Sequence, residues 1–224
     1  MGQRKVAFAK DEYYHIYNRG TNKMPIFLEK RDYDRFLKLL FSANGSNVVK
    51  FSDISPSRAW TFDRGEPLVH IGAYCLMPNH FHLLVRAKDE KGITSFLQRL
   101  GTSFSKYFNL KYERTGSLFE GRFKTKHVNN DRHLQYLFSY IHLNPIQMLQ
   151  SDWKEVGIKN QEHAKKFLNE YAHSSYLEYQ GNNRSESVIL ERSVFPQYFN
   201  EGRSFDGFID SFFDMSKPGL DLVV

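Results

Sequence analysis

The chain has 224 residues, 41% hydrophobic and 16% aromatic, with one cysteine and a formal net charge of +6. This is enough apolar material for one domain with a buried core, while a lone Cys75 excludes an internal disulfide and a cysteine-rich zinc site. No run approaches the roughly 18–20 apolar residues of a membrane span, and the charged stretch Met1–Lys10 is unlike a signal peptide, so a cytoplasmic protein with no membrane association is expected.

Tyr13–Asn18 (YYHIYN) predicts a first strand, ended by Arg19-Gly20. Tyr33, Phe36, Leu37, Leu39 and Leu40 recur at helical spacing and predict a helix over Arg31–Ala43. Asn44 to Pro67 is polar and reads as a long loop or an insertion. Leu68–Leu76 predicts a second strand, Met77-Pro78-Asn79 a tight turn, and His80–Arg86 a third strand. Ile93–Tyr112 predicts a long helix with Phe96, Leu97, Leu100, Phe104 and Phe108 on its inner face. A short strand follows at Phe123–Val128, then a helix from Arg132 to Leu143 with Asp131 as N-cap, stopped by Asn144-Pro145. The order strand, helix, strand, strand, helix, strand, helix predicts an α+β fold, a ferredoxin-like antiparallel sheet with helices packed on one face. Residues 1–184 are expected to form one domain. Residues 185–224 are read as a helical extension, with a weak stripe of Phe205, Phe208, Ile209, Phe212 and Phe213.

His80-Phe81-His82 is the most informative segment. Side chains at i and i+2 of a strand share a face, so two imidazoles stand side by side while Phe81 turns to the other face. That arrangement suits two neighbouring ligands on one divalent cation. On the last helix, Tyr136, Tyr140 and Asn144 lie one turn apart on one face. If that face meets the histidines, Tyr140 supplies a phenol and Asn144 a carbonyl oxygen at the same metal, leaving positions for a phosphate and water. Tyr136 and Tyr107 are the rival tyrosines. His127 and His142 read as surface or outlying residues, His142 pointing away from Tyr140.

The charge is unevenly placed. Arg86–Lys126 holds ten Lys/Arg and four Asp/Glu, a surplus of six, whereas the rest has 21 of each sign. The same segment carries Phe96, Phe104, Tyr107, Phe108, Tyr112, Phe119 and Phe123. Basic residues mixed with aromatics suit single-stranded nucleic acid, phosphates meeting Lys/Arg and bases stacking on rings; the bland alternative is a solvated basic helix face. Arg122 is the first candidate for a bidentate phosphate contact. Arg19 and Lys124 are further candidates, and so are Lys106 and Arg114.

AYCLMPNHFHLLV, GSLFEGRFK and YIHLNP resemble the single-tyrosine transposases of the His-hydrophobe-His superfamily, and more narrowly the REP-associated tyrosine transposases. YHIYNRG near the start and HSSYLEY at 173–179 fit the same resemblance, which spans roughly Tyr13 to Tyr179. It implies a magnesium or manganese ion held by His80, His82 and Asn144, and Tyr140 as the nucleophile on single-stranded DNA near a hairpin. The implied products are a 5′-phosphotyrosine link and a free 3′-hydroxyl, and reversal with another 3′-hydroxyl transfers the strand. For the assembly the resemblance implies either a homodimer that exchanges the tyrosine helix, as in related single-tyrosine transposases, or a monomer, as in the REP-associated members. The competing reading is a domesticated, non-cutting binder of structured single strands, which has no need of His80, His82 and Tyr140 together. A histidine-triad hydrolase requires a third histidine where Leu84 stands.

Overall fold

The computed structural model describes residues 7–49, 53–198 and 205–213. At its centre β1 (Tyr13–Arg19), β2 (Val69–Met77), β3 (His80–Ala87) and β4 (Lys124–Val128) form a sheet in the order β2-β3-β1-β4, each neighbouring pair antiparallel. α1 (Lys30–Ser42) links β1 to β2, and α2 (Gly92–Lys111) links β3 to β4. This is the ferredoxin-like order expected from the sequence, with element ends displaced by single residues. The 44–67 connection has one short 3₁₀ turn, Pro56–Arg58, among its described residues.

Strand alternation splits the core in two. Phe81, Leu83 and Val85 of β3 and Tyr14 and Ile16 of β1 pack under Phe36 and Leu40 of α1 and Phe96, Phe104 and Phe108 of α2. The other face carries Ala73, Cys75, Met77 and Leu84, which are equally apolar and need a cover. α3 (Asp131–Leu143) supplies it with Leu134, Leu137, Phe138 and Ile141. The one-face expectation therefore holds for α1 and α2, and α3 corrects it. A bulge between Ile71 and Ala73 reverses the alternation of β2, so Ile71 and Tyr74 face the first core and Ala73 and Cys75 the second. Gly72 sits in this bulge, where a Cβ would lie 2.5 Å from the Phe195 ring.

Helix ends follow local hydrogen bonding. α1 begins with a reciprocal capping box in which Asp32 accepts from the Glu29 and Leu28 amides. Asn130, rather than Asp131, caps α3, its side chain accepting from the His133 amide at 2.8 Å. Pro145 lacks the N–H that an α-helix would need, and the chain continues as a 3₁₀ turn, Asn144–Met148.

The aromatics of the basic segment depart from expectation. Phe96, Phe104 and Phe108 are fully buried and Phe119 nearly so. Their four-residue spacing along α2 turns them to the sheet, so they build core rather than offer faces to bases. Tyr107 and Tyr112 donate to the buried Asp32 carboxylate at 2.9 and 2.7 Å, beside Lys111 at 2.6 Å. Burial alone would raise the Asp32 pKa, but hydrogen bonds from Lys111, Tyr112, the Leu28 amide and Tyr107 hold it below the usual carboxylate range.

Beyond α3 come α4 (Trp153–Val156), α5 (Gln161–Glu170), α6 (Tyr176–Tyr179) and α7 (Phe205–Asp210). His173–Ser175 lines the outer edge of β2, with Leu76 N donating to His173 O and Ser175 N to Tyr74 O. Phe205, Phe208 and Ile209 of α7 pack in the second core with Phe138 and Tyr179. No helix among the described residues is long and apolar enough to cross a membrane.

One buried ion pair ties this C-terminal part to the sheet. Arg184 donates Nε and Nη2 to Glu178 Oε1 at 3.1 and 2.6 Å, and Glu178, fully buried, also accepts from Tyr74 at 3.1 Å. Arg184→Met would leave that carboxylate uncompensated and is expected to cost about 3 kcal/mol in urea unfolding. Glu178→Gln combined with Arg184→Met should recover part of the loss, because the stranded charge is gone.

Candidate active site

β3 delivers His80 and His82 to the α3 side of the sheet, with ring centroids 5.0 Å apart and planes nearly perpendicular. α3 brings the Tyr140 ring to 5.5 Å from that of His82. Asn144, one turn on, lies fully buried at the start of the 3₁₀ turn. The juxtaposition that the sequence left conditional is present: the Tyr140 face of the helix meets the histidine face of the strand.

The two imidazoles are held alike. His80 Nδ1 donates to Asn79 Oδ1 at 2.6 Å, leaving Nε2 with its lone pair. His82 Nδ1 lies 2.9 Å from His15 Nε2 on β1, and the two rings stack at 5.1 Å. His82 Nε2 is buried without a partner, as are both amide atoms of Asn144. Buried polar atoms without partners cost about 1–3 kcal/mol each, and a cation held here would satisfy these. Burial first, and the nearby Lys154 ammonium with it, lower the His80 pKa to about 4; burial and the neighbouring His80 and His15 lower that of His82 well below normal. Both rings are thus neutral at neutral pH, as metal ligation requires. Two imidazole nitrogens and an amide oxygen fit a divalent cation. No group of three or more His, Cys, Asp or Glu side chains among the described residues is arranged to hold one, and the set found here contains only two such residues beside the amide.

The phenol is enclosed. Tyr140 is 2% exposed, and burial pushes its pKa up to about 12 against the opposing influence of the Asn144 amide. Lys154 on α4 donates to Tyr140 Oη at 2.9 Å, and its ammonium sits 4.8 Å from the ring centroid. Tyr136 stacks on Tyr140 at 6.1 Å, one turn further from Asn144. Tyr17 on β1 completes the floor, its ring 6.0 Å from that of His82.

The candidate phosphate contacts separate into two groups. Lys124 stands opposite Tyr17 in the β1–β4 ladder, 5.8 Å from that ring, and Lys126 stands opposite His15. Arg122 is exposed just before β4. Arg19 is already engaged, donating to both carboxylate oxygens of Glu120 at 3.0 and 3.3 Å. Lys106 on α2 and Arg114 just past its end belong to the helix layer of the opposite face and are not brought to the histidines. Arg114 lies over the Phe108 ring there. His127 is on the surface, paired with Glu12 at 2.7 Å. His142 is not at the surface: it is fully buried, donating from Nδ1 to Phe138 O at 2.9 Å and meeting Ser175 Oγ at 2.8 Å. It points away from Tyr140 as expected and ties α3 to the HSSYLEY segment.

His15, Tyr17 and Lys154 are the site residues that the sequence did not reveal. His15 and Tyr17 alternate on β1 as His80 and His82 do on β3, the one local sign available. Lys154 has no such sign.

Residues 66–144 match the family described as transposase IS200 like. That stretch contains His80, His82, Tyr140 and Asn144. The solved structure of the REP-associated tyrosine transposase bound to a REP hairpin is similar to this chain, with a TM-score of 0.54 and 15% identity over 88% of this chain and 89% of that one. At this identity the likeness is one of fold. No curated protein sequence matches significantly. The segment 66–144 is similar to the IS200-like transposases, and it sits in a chain whose fold is like that of a REP-associated tyrosine transposase.

Proposed function

We propose that this chain cuts and rejoins single-stranded DNA beside hairpins, with Tyr140 as nucleophile and a divalent cation held by His80, His82 and Asn144. The observation that carries the reading is the meeting of Tyr140 with the partnerless His82 Nε2 and Asn144 amide in one buried place. Manganese suits two imidazoles better than magnesium does. The bound ion would act as a Lewis acid on the scissile phosphate.

The chain's own residues account for the rest. Tyr140 Oη attacks phosphorus, the P–O3′ bond breaks, the phenol loses its proton and the departing 3′-oxygen gains one. The products are a 5′-phosphotyrosine and a 3′-hydroxyl. Phosphodiester is exchanged for phosphodiester, so no nucleotide cofactor is needed, and the reverse reaction with another 3′-hydroxyl transfers the strand. Burial disfavours the phenolate, and the Lys154 ammonium at 2.9 Å is placed to offset that. Lys124 and Lys126 line the same face of the sheet, and Arg122 stands at its margin, for phosphates on either side. The hairpin in the similar solved structure supports a hairpin partner here. In this reading residues 1–184 are the catalytic unit and 185–224 an extension, of which Phe205, Phe208 and Ile209 pack in the second core.

A metal-dependent covalent adduct with hairpin-bearing single-stranded DNA, run on denaturing gels, tests the proposal; hairpin binding without any adduct would favour the non-cutting binder. Lys154→Met is expected to slow single-turnover adduct formation by about 100-fold, the cost of removing one donor from a developing anion. Lys154→Arg should restore part of the rate.

A further inference from the structure

A wholly buried imidazole stands behind the candidate ligands. His15 lies on β1, the strand between β3 and β4, opposite Leu84 on one side and Lys126 on the other. It is 0% exposed, and the rings of Tyr17 at 4.9 Å, His82 at 5.1 Å and Tyr140 at 6.2 Å close around it. A polar ring on an interior strand costs desolvation without return unless a hydrogen bond uses it. Burial first, then Lys126, His133 and Lys154, lowers the His15 pKa to about 3, so the ring is neutral and carries one proton.

The hydrogen bond that uses it joins His15 Nε2 to His82 Nδ1 at 2.9 Å. The ring planes are 19° apart and the centroids 5.1 Å apart, so the two nitrogens lie almost in line between the rings, as a straight N–H···N bond requires. One proton serves this bond, in either direction. If His15 donates, His82 carries its own proton on Nε2, and no lone pair is left there for a cation. If His82 donates, its Nε2 keeps the lone pair, and His15 carries its proton on Nδ1. Each direction leaves one N–H of the pair without a protein partner, on His82 Nε2 or on His15 Nδ1. The two arrangements are therefore closely matched, and an ion on His82 Nε2 selects the second. In His80 the corresponding proton is held by Asn79 Oδ1, an oxygen that only accepts.

We propose that His15 is a positioning residue of the cation site: accepting from His82 Nδ1–H, it holds that ring in place and leaves the Nε2 lone pair to the ion. The inference rests on the reading of His80, His82 and Asn144 as cation ligands, and it adds a residue that stands behind the ligands rather than among them. Its effect is on ion affinity. Without an acceptor at position 15, loading the site would strand the His82 Nδ1–H, and His82 is too deeply buried for solvent to replace the partner.

Calorimetric titration of the metal-free protein with manganese tests the assignment, with melting curves to establish that each variant is folded. His15→Leu, close in volume and without an acceptor, should bind manganese about 10- to 100-fold more weakly than wild type. His15→Gln, whose amide oxygen can stand where Nε2 stands, should recover to within about 5-fold of wild type. A folded His15→Leu with wild-type affinity overturns the role of His15 alone. So does a folded His15→Gln as weak as His15→Leu, the pattern of a ring needed only for packing. Wild type that binds no manganese overturns the cation reading and the role of His15 together. A second measurement needs no substitution. In wild type labelled with ¹⁵N-histidine and loaded with zinc, a diamagnetic stand-in, the His82 Nδ1 proton should couple to two ring nitrogens, its own and His15 Nε2. A His82 Nδ1 proton coupled to no second nitrogen overturns the proposal.

Discussion

Tyr140→Phe is expected to abolish the covalent DNA adduct, a loss of at least about 10⁴-fold, on the scale of removing a nucleophile from an enzyme that forms a covalent intermediate. The substitution deletes one oxygen from a ring that is 2% exposed and packed between His82 and Trp153, so the fold should be retained. The hydrogen bond lost from Lys154 leaves an ammonium that is half-buried and can turn to water. Hairpin binding should therefore stay close to wild type by anisotropy. Tyr136→Phe is the matched control: Tyr136 stacks on Tyr140, and burial raises its pKa to about 12 as well. It should form adduct at a rate near wild type. An adduct that survives Tyr140→Phe and disappears in Tyr136→Phe would transfer the nucleophile by one turn of α3.

Loss of the proposed metal ligands is expected to be nearly as severe. His80→Ala and His82→Ala should each reduce adduct formation by about 10³-fold or more, since Lewis-acid stabilisation is worth several kcal/mol and each 1.36 kcal/mol is tenfold. The two variants differ in structural cost. His82 is fully buried and its removal strands His15, so His82→Ala should also lower the melting temperature. His80 is part-exposed at the start of β3, and its replacement should leave the melting temperature within a few degrees. Calorimetric titration with manganese separates the two effects: both variants should lose the binding isotherm, and chelation of wild type should reproduce their inactivity. Normal adduct formation by a folded His80→Ala in the presence of chelator would remove the metal from the proposal.

Much of the site was legible because its geometry is local. His80 and His82 share a face through strand alternation, and Tyr140 and Asn144 through helical spacing; both relations hold wherever the elements are placed. The order of elements was legible for a similar reason, each carrying its own hydrophobic period and stop signal. The failures have a common cause in partners distant along the chain. Arg19 reads as a free cation until Glu120, 101 residues away, closes on it. The aromatics of the basic segment read as stacking surface until α2 is laid on the sheet and the same spacing buries Phe96, Phe104 and Phe108. His142 reads as peripheral until Ser175 arrives at 2.8 Å.

By itself, then, the sequence determined which side chains share a face: the histidine pair on its strand, the tyrosine and asparagine on their helix, and the α+β alternation that contains them. Only the tertiary structure decided what those faces meet. The β1–β3 register places His15 against His82, α3 takes the sheet face opposite α1 and α2, and the turn after Pro145 returns Lys154 to the Tyr140 hydroxyl. Periodicity is a property of neighbouring residues and is written into short stretches of chain, whereas register, choice of face and chain reversal are settled by packing the whole core.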